Sequence, residues 1–255
     1  MTKAWVYQKR HPLLERIAFN TTLNVPADYN MIKVISFDFD GTIATHKFAD
    51  DFWLEGVPQL YAKQNHISLK AAQKYLLEEY DKIGDSRIEW YDPAYWFNRF
   101  KIKSDWNDLL KQYQQSVEIY PDATPVLKRL SQCYPLIVSS NAKREFIDIQ
   151  LDVSNLKQYF TQIFSSTSDF HTVKKVTDFY GMICKKLSIK PQEMVHVGDH
   201  KEFDYLSPQK LGITAFYLDR NKTSTGPYTV HTLSQFEEIL IKNLSSSDIY
   251  HEKEL

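Results

Sequence analysis

Ile35-Ser36-Phe37-Asp38-Phe39-Asp40-Gly41-Thr42 is an apolar run that stops abruptly in two carboxylates and a glycine. Residues 32–37, Ile-Lys-Val-Ile-Ser-Phe, have the length and β-branched content of a buried strand. The acids then fall where the backbone must turn, and in open α/β sheets ligands bind in the crevice beyond the strand carboxyl ends. Side chains within a strand alternate faces, but past its end a turn eased by Gly41 can swing Asp38 and Asp40 toward one point. Two acids held there contribute little to structure and serve as a nucleophile, a general acid/base or metal ligands. An ordinary acidic turn would read the same over this short stretch, so the rest of the chain decides.

Working outward, further buried strands are predicted at 135–139, 162–165, 193–197 and 213–218. Helices are predicted from Pro121 (Val126, Leu127 and Leu130 inward), over 144–151, over 176–187 and over 233–244. This alternation is the pace of repeated βα units and implies a Rossmann-like α/β core, a parallel sheet flanked by helices. Almost a hundred residues separate the first two strands, and structureless loops of that length are uncommon inside a domain. Residues 46–117 are rich in aromatics at helical spacing, among them Trp53, Tyr80, Trp90, Tyr91, Tyr95, Trp96 and Phe97. They are read as an inserted all-helical domain joined near Thr45 and near Tyr120-Pro121, leaving 31–45 and 118–244 as the α/β core. Residues 1–30 form an extension with one short amphipathic helix near 12–19, and 245–255 a polar, serine-rich flexible tail.

Three more segments place reactive groups at or just beyond strand ends. Ser139-Ser140-Asn141 ends the second strand with hydroxyls and turn amides suited to phosphate oxygens, though alone it is simply a loop. Val173-Lys174-Lys175 precedes the apolar pattern of Phe179 and Tyr180; adjacent lysines by themselves usually mark a solvated face. Gly198-Asp199 follows the 193–197 strand, and Asp204 lies near the start of the next helix, facing the site or capping that helix.

In this order, Asp38-x-Asp40-Gly41-Thr42, Ser140-Asn141, Lys174 and Gly198-Asp199-x-x-x-x-Asp204 resemble the four motifs of the haloacid dehalogenase-like superfamily, in its phosphatase branch. The likeness covers 32–45 and 118–219; Ser139 and Ser140 both suit the second motif, Ser140 better, and the proline usual after the motif lysine is absent. It implies a helical cap inserted between the first and second motifs. It further implies that Asp38 is the nucleophile, Asp40 the acid and base, and Lys174 a third catalytic group. Ser140, Asn141, Thr42 and Gly41 would hold substrate phosphate, Thr42 also bracing the first loop; Asp38, Asp40 (through its main chain) and Asp199 would hold a metal, with Asp204 a further ligand or a partner behind them. Dehalogenases of this superfamily usually lack an acid at the Asp40 position, because a halide leaving group needs no proton.

Two carboxylates about 4 Å apart repel by ~4 kcal/mol at an effective dielectric near 20, so three clustered acids cost on the order of 10 kcal/mol without cations. Lys174 cannot balance three acids, and an all-oxygen site favours Mg²⁺ or Ca²⁺, with Mg²⁺ the choice beside a substrate phosphate. Lysine plus arginine (31) nearly equals aspartate plus glutamate (32) in the 255 residues, which gives no footprint for nucleic acid. No stretch suits a membrane span, no signal peptide is evident, and Cys133 and Cys184 alone, read as buried thiols, fit a reducing cytoplasm. The expectation is a cytoplasmic Mg²⁺-dependent phosphatase for a small phosphorylated metabolite, its oligomeric state unspecified. A phosphotransferase or mutase, or a non-catalytic phospho-switch, is the alternative. The segment 87–99, aromatic and holding Arg87 and Arg99, offers either a substrate pocket or the insertion's own core.

Overall fold

Six apolar segments form strands: β1 (Val34–Phe37), β2 (Leu136–Ser140), β3 (Gln162–Ser165), β4 (Met194–Gly198), β5 (Thr214–Leu218) and β6 (Thr229–Val230). In this computed structural model, which describes residues 31–174 and 178–251, they join one sheet in the order β3-β2-β1-β4-β5-β6. Every pairing is parallel. Parallel sheets are covered on both faces, so their strands read as continuous apolar runs; β1, β2 and β4 are buried along their whole length. The two-residue β6 is too short to leave such a signal. Phe37 sits opposite Val138 on one side and Val197 on the other, so Asp38, Ser139 and Gly198 lie at one level of the sheet. Strand order reverses between β1 and β4, and this switch point is where a crevice opens at the strand carboxyl ends.

Between β1 and β2 the chain is helical: α1 (Lys47–Asp50), a π-helical stretch (Asp51–Gly56), α2 (Val57–Asn65), α3 (Leu69–Ile83), α4 (Pro93–Arg99) and α5 (Trp106–Gln112). Local chemistry sets these boundaries. Ser68, Asp92 and Asp105 accept hydrogen bonds from first-turn amides of α3, α4 and α5, and α3 stops at Gly84 with φ +74°. Trp96 is fully buried, edge-on to Tyr80 and stacked on Phe100, so most of the aromatic content forms the insertion's own interior. The two connecting segments pair with each other, Thr45 N with the Glu118 carbonyl at 2.8 Å and Tyr120 N with that of Ile43 at 2.9 Å.

The remaining helices are α6 (Ala123–Leu130), α7 (Arg144–Ser154), α8 (Ser166–Asp169), α9 (Phe179–Leu187), α10 (Ser207–Gln209) and α11 (Leu233–His251). Three sequence expectations are corrected here. α9 starts at Phe179, so Lys174, expected at the start of the helix that carries Phe179 and Tyr180, lies in a turn before it. α11 runs on to His251 instead of ending in a tail after Leu244, because Ser245-Ser246-Ser247 has modest helix propensity but contains no glycine or proline to break it. Cys184 is buried as expected, whereas Cys133 is exposed in the turn after α6. The extension over 1–30, Val176 and residues 252–255 lie outside the described residues. Among the described residues no helix is long and apolar enough to cross a membrane.

Candidate active site

Asp38 follows β1, Asp199 follows β4, and Asp204 comes from the first turns after β4, where a π-helical stretch (Lys201–Leu206) turns its side chain back. One carboxylate oxygen of each lies within 4.8 Å of the other two. Two glycines make this crowding possible. A β-carbon on Gly41, at φ +84°, would lie 2.2 Å from Asp199 Oδ2, and one on Gly198 would lie 2.5 Å from Asp204 Cγ. Gly41 therefore admits Asp199 and does not itself line the pocket.

Lys174, 2% exposed, bridges two of the acids: its Nζ donates to Asp38 Oδ1 and, at 2.7 Å, to Asp204 Oδ1. Burial disfavours the ammonium, but Asp204 and Asp38 more than offset this and hold its pKa above the ordinary lysine value. Burial pushes the Asp38 carboxyl well above the carboxylate range against the pull of Lys174, with Asp204 and Asp199 adding repulsion. Burial would raise Asp204 too, yet Lys174 and His196 hold it well below that range. One ammonium thus stabilises one of its two carboxylate partners fully and leaves the Asp38 side short of positive charge. The backbone of Lys174 is fixed as well, its N–H donating to Asn141 Oδ1 at 2.8 Å.

Asp40 stands apart from that triad. Its Oδ1 accepts from Gln150 Nε2 of α7 at 3.0 Å. Burial raises its pKa, tempered by the Gln150 hydrogen bond and the charge of His46. His46, at the root of the insertion, places Nε2 3.2 Å from Asp199 Oδ2. Burial opposes its charge, but the Asp199 hydrogen bond and the charges of Asp199, Asp40 and Asp50 carry its pKa up to about 9. The expected metal role of Asp40 rests on its main chain, since its carboxylate is not among the three that converge.

Strand alternation separates the two serines at the end of β2. Ser140 lines the pocket, while Ser139 Oγ is 2.8 Å from Ser36 Oγ, on the side where His196 Nδ1 also meets Ser36 at 2.9 Å. Burial lowers the His196 pKa, so this ring is a neutral member of a buried hydrogen-bonded chain reaching Asp204. Asn141 lines the pocket, but its amide is engaged by Ser166, Lys174 and Tyr91. Thr42 lies outside the lining; its carbonyl accepts from Arg220 Nη2 at 2.6 Å, and its Oγ1 finds no partner among the described residues. Thr42 thus has a bracing contact to Arg220, which also pairs with Asp122 and lies 3.6 Å over the Tyr120 ring.

The outer wall mixes core and insertion. Asp85 and Tyr91 face His200 and Phe203, whose rings stack at 3.9 Å. Tyr91 OH donates to the Asp85 carbonyl at 3.0 Å and accepts from Asn141 Nδ2 at 3.3 Å; Lys143 pairs with Asp92 at 2.9 Å. His200 accepts from Phe203 N through Nδ1 and lies 3.9 Å from Asp85. Arg87 and Arg99 are not pocket residues: they pair with Glu89 and Glu79. Tyr91 belongs to the 87–99 segment that offered either a pocket or the insertion's core, whereas Gln150, His46, Asp85 and Arg220 went unremarked in the sequence. Only Gln150 carried a usable signal, a polar residue on the apolar face of a predicted helix.

Comparison with known proteins agrees with this geometry. A family model described as haloacid dehalogenase-like hydrolase matches residues 35–218. The GMP/IMP nucleotidase YrfG of Escherichia coli (strain K12) is 20% identical over 169 residues, covering 66% of this chain and 74% of the relative. A HAD phosphatase from Thermococcus onnurineus superposes with a TM-score of 0.74 at 26% identity, covering 82% of this chain and 98% of that one. The putative HAD-hydrolase YfnB from Bacillus subtilis, solved bound to magnesium, gives 0.60 at 20% identity over 82% and 98%. With the matched span running from β1 through β5 and taking in Asp38, Asp40, Asp199 and Asp204, the chain belongs to the haloacid dehalogenase-like hydrolase family.

Proposed function

We propose that this protein is a Mg²⁺-dependent phosphatase that hydrolyses a small phosphomonoester through an aspartyl-phosphate on Asp38. The observation that carries this reading is the convergence of Asp38, Asp199 and Asp204 around a single lysine, with a second buried acid, Asp40, beside them. The donor set is all oxygen and short of positive charge, which fits a hard dication. Held by Asp38, Asp199 and Asp204, with the Asp40 main chain beside them, magnesium would offset the clustered negative charge and give a phosphoryl oxygen a fixed contact.

In the first step an Asp38 oxygen attacks phosphorus while the bond to the leaving-group oxygen breaks, and Asp40 gives that oxygen its proton. In the second, Asp40 takes a proton from water, whose oxygen attacks phosphorus, releasing orthophosphate and restoring Asp38. The raised pKa of Asp40 suits the acid role. Lys174 keeps Asp38 in place, and Ser140 with the amides after it faces the equatorial oxygens. The presence of Asp40 favours phosphate ester over halide as leaving group.

The helical insertion acts as the cap. With the cap seated, about 40 Å³ of free space remains, so a substrate enters as the cap moves away and its leaving group lies against Asp85, Tyr91, His200 and Phe203. Both arginines of the cap segment are paired within the insertion, and among the described residues the outer wall of Asp85, Tyr91, His200 and Phe203 holds no lysine or arginine for a second anionic group. The substrate class is therefore a monophosphate with an uncharged leaving group carrying a ring or donors for Asp85. Nucleoside monophosphates, named for the curated relative, are the first to try.

The test is inorganic phosphate release from nucleoside monophosphates, sugar phosphates and p-nitrophenyl phosphate, with and without Mg²⁺, beside Asp38→Asn. Turnover that needs Mg²⁺ and vanishes in the variant is expected. No release from any substrate, or full activity in Asp38→Asn, would overturn the reading.

A further inference from the structure

Helix α7 buries Phe146, Ile147 and Leu151, and the same face carries a fully buried glutamine, Gln150. A buried amide is costly unless its polar atoms are hydrogen-bonded. Here Nε2 donates to Asp40 Oδ1 at 3.0 Å, while Oε1 finds no partner among the described residues. Fold stability is a poor explanation for a half-satisfied amide at such a position, since an apolar side chain of equal length would fill the space without one. The helix backbone does not need it either; the Gln150 carbonyl accepts from Ser154 Oγ at 2.6 Å. α7 is itself held firmly, with Phe146 edge-on to Phe52 and stacked on Trp53 at the root of the insertion.

We infer that Gln150 is a positioning residue for Asp40: by holding Oδ1 it turns Oδ2 toward the pocket, where the leaving-group oxygen is protonated. The inference rests on the phosphatase reading above. It is specific about which half of the reaction suffers. An alkyl phosphate needs its leaving oxygen protonated, whereas p-nitrophenolate departs without help, so the two substrates separate acid positioning from general damage.

The experiment compares kcat/KM of wild type, Gln150→Met and Gln150→Asn for p-nitrophenyl phosphate and for an alkyl phosphate such as a nucleoside 5′-monophosphate, with melting temperatures as a check on folding. Methionine keeps the length and removes the donor; asparagine keeps the amide and withdraws it from Asp40, and serves if the methionine variant does not fold. The expected result is a fall on the order of a hundredfold for the alkyl phosphate and less than about fivefold for p-nitrophenyl phosphate, carried by kcat with KM little changed. Equal losses on both substrates, or no loss on either, would overturn the inference while the phosphatase reading stood. A wild-type protein inactive on both would remove the two together.

Discussion

The strand ends of the core and the helical insertion handle charge in opposite ways. Around β1 and β4 three carboxylates converge within 4.8 Å of one another, with Lys174 bridging Asp38 and Asp204, His46 against Asp199, and the buried Asp40 beside them, so that acids outnumber the cations at hand. In the insertion, by contrast, Glu79 sits between Lys82 and Arg99, and Arg87 meets Glu89, so each of these charges is answered nearby. Aromatic packing around Tyr80, Trp96 and Phe100 then supplies the cohesion. The contrast separates two uses of charge: the core crowds its acids at the strand ends, and the insertion balances its own charges while contributing few side chains to the pocket. Substitutions in the two regions should therefore separate activity from stability.

The largest effect is expected from Lys174→Met. It leaves Asp38 and Asp204 buried against each other without a cation, which should lower kcat by on the order of a thousandfold. It should also destabilise the metal-free fold by about 3–5 kcal/mol, read from urea unfolding, because breaking a buried ion pair strands a charge. Added Mg²⁺ should recover much of the stability and little of the rate. An unchanged kcat would show that the core cluster is not the working site.

Next comes pH. His46 titrates near 6.5 when unfolded and at about 9 when folded, so its protonated form is bound more tightly in the native state. That contribution, about 3 kcal/mol, is fully present below pH 6.5 and is lost as pH rises through 9. Metal-free protein should therefore lose stability between pH 6.5 and 9.5, and His46→Gln should flatten the slope. An identical slope in the variant would mean that His46 and Asp199 do not pair in solution.

A smaller effect is expected at the seam between the two regions. Tyr91→Phe removes the contacts to Asn141 and to the Asp85 carbonyl, and should raise KM about fivefold with kcat nearly unchanged. A larger fall in kcat than rise in KM would place Tyr91 in the chemistry instead. The smallest change belongs inside the insertion. Tyr80 OH is buried with no hydrogen-bond partner among the described residues, so Tyr80→Phe should stabilise by about 1 kcal/mol and leave kcat/KM untouched. Destabilisation by a similar amount would reveal a partner for that hydroxyl.

Legibility followed the same divide. Asp38 and Asp199 were readable because each ends a fully buried strand, and a run such as Val34 to Phe37 stopping at Asp38 is a local pattern. Their convergence followed from strand order, with β1 and β4 adjacent at the switch point. Where the reading strayed, a local signal had more than one tertiary outcome. Gly41 and Thr42 belong to a loop motif, but which atoms of a loop face a ligand depends on neighbours distant in sequence, here Asp199 and Arg220. Arg87 and Arg99 looked available for an anion until Glu89 and Glu79 proved to hold them.

Composition and periodicity determined that this chain builds a parallel α/β sheet with a helical insertion after the first strand, and that acids crowd the strand ends. Those features arise from hydrophobic repeats and abrupt polar stops, which short stretches of chain encode. Only the tertiary structure decided that Lys174 serves Asp38 and Asp204 together, that Gln150 reaches Asp40, and that His46 meets Asp199. The partners in these four pairings stand between 30 and 153 residues apart, and what a helix- or loop-borne side chain touches is set by packing rather than by spacing.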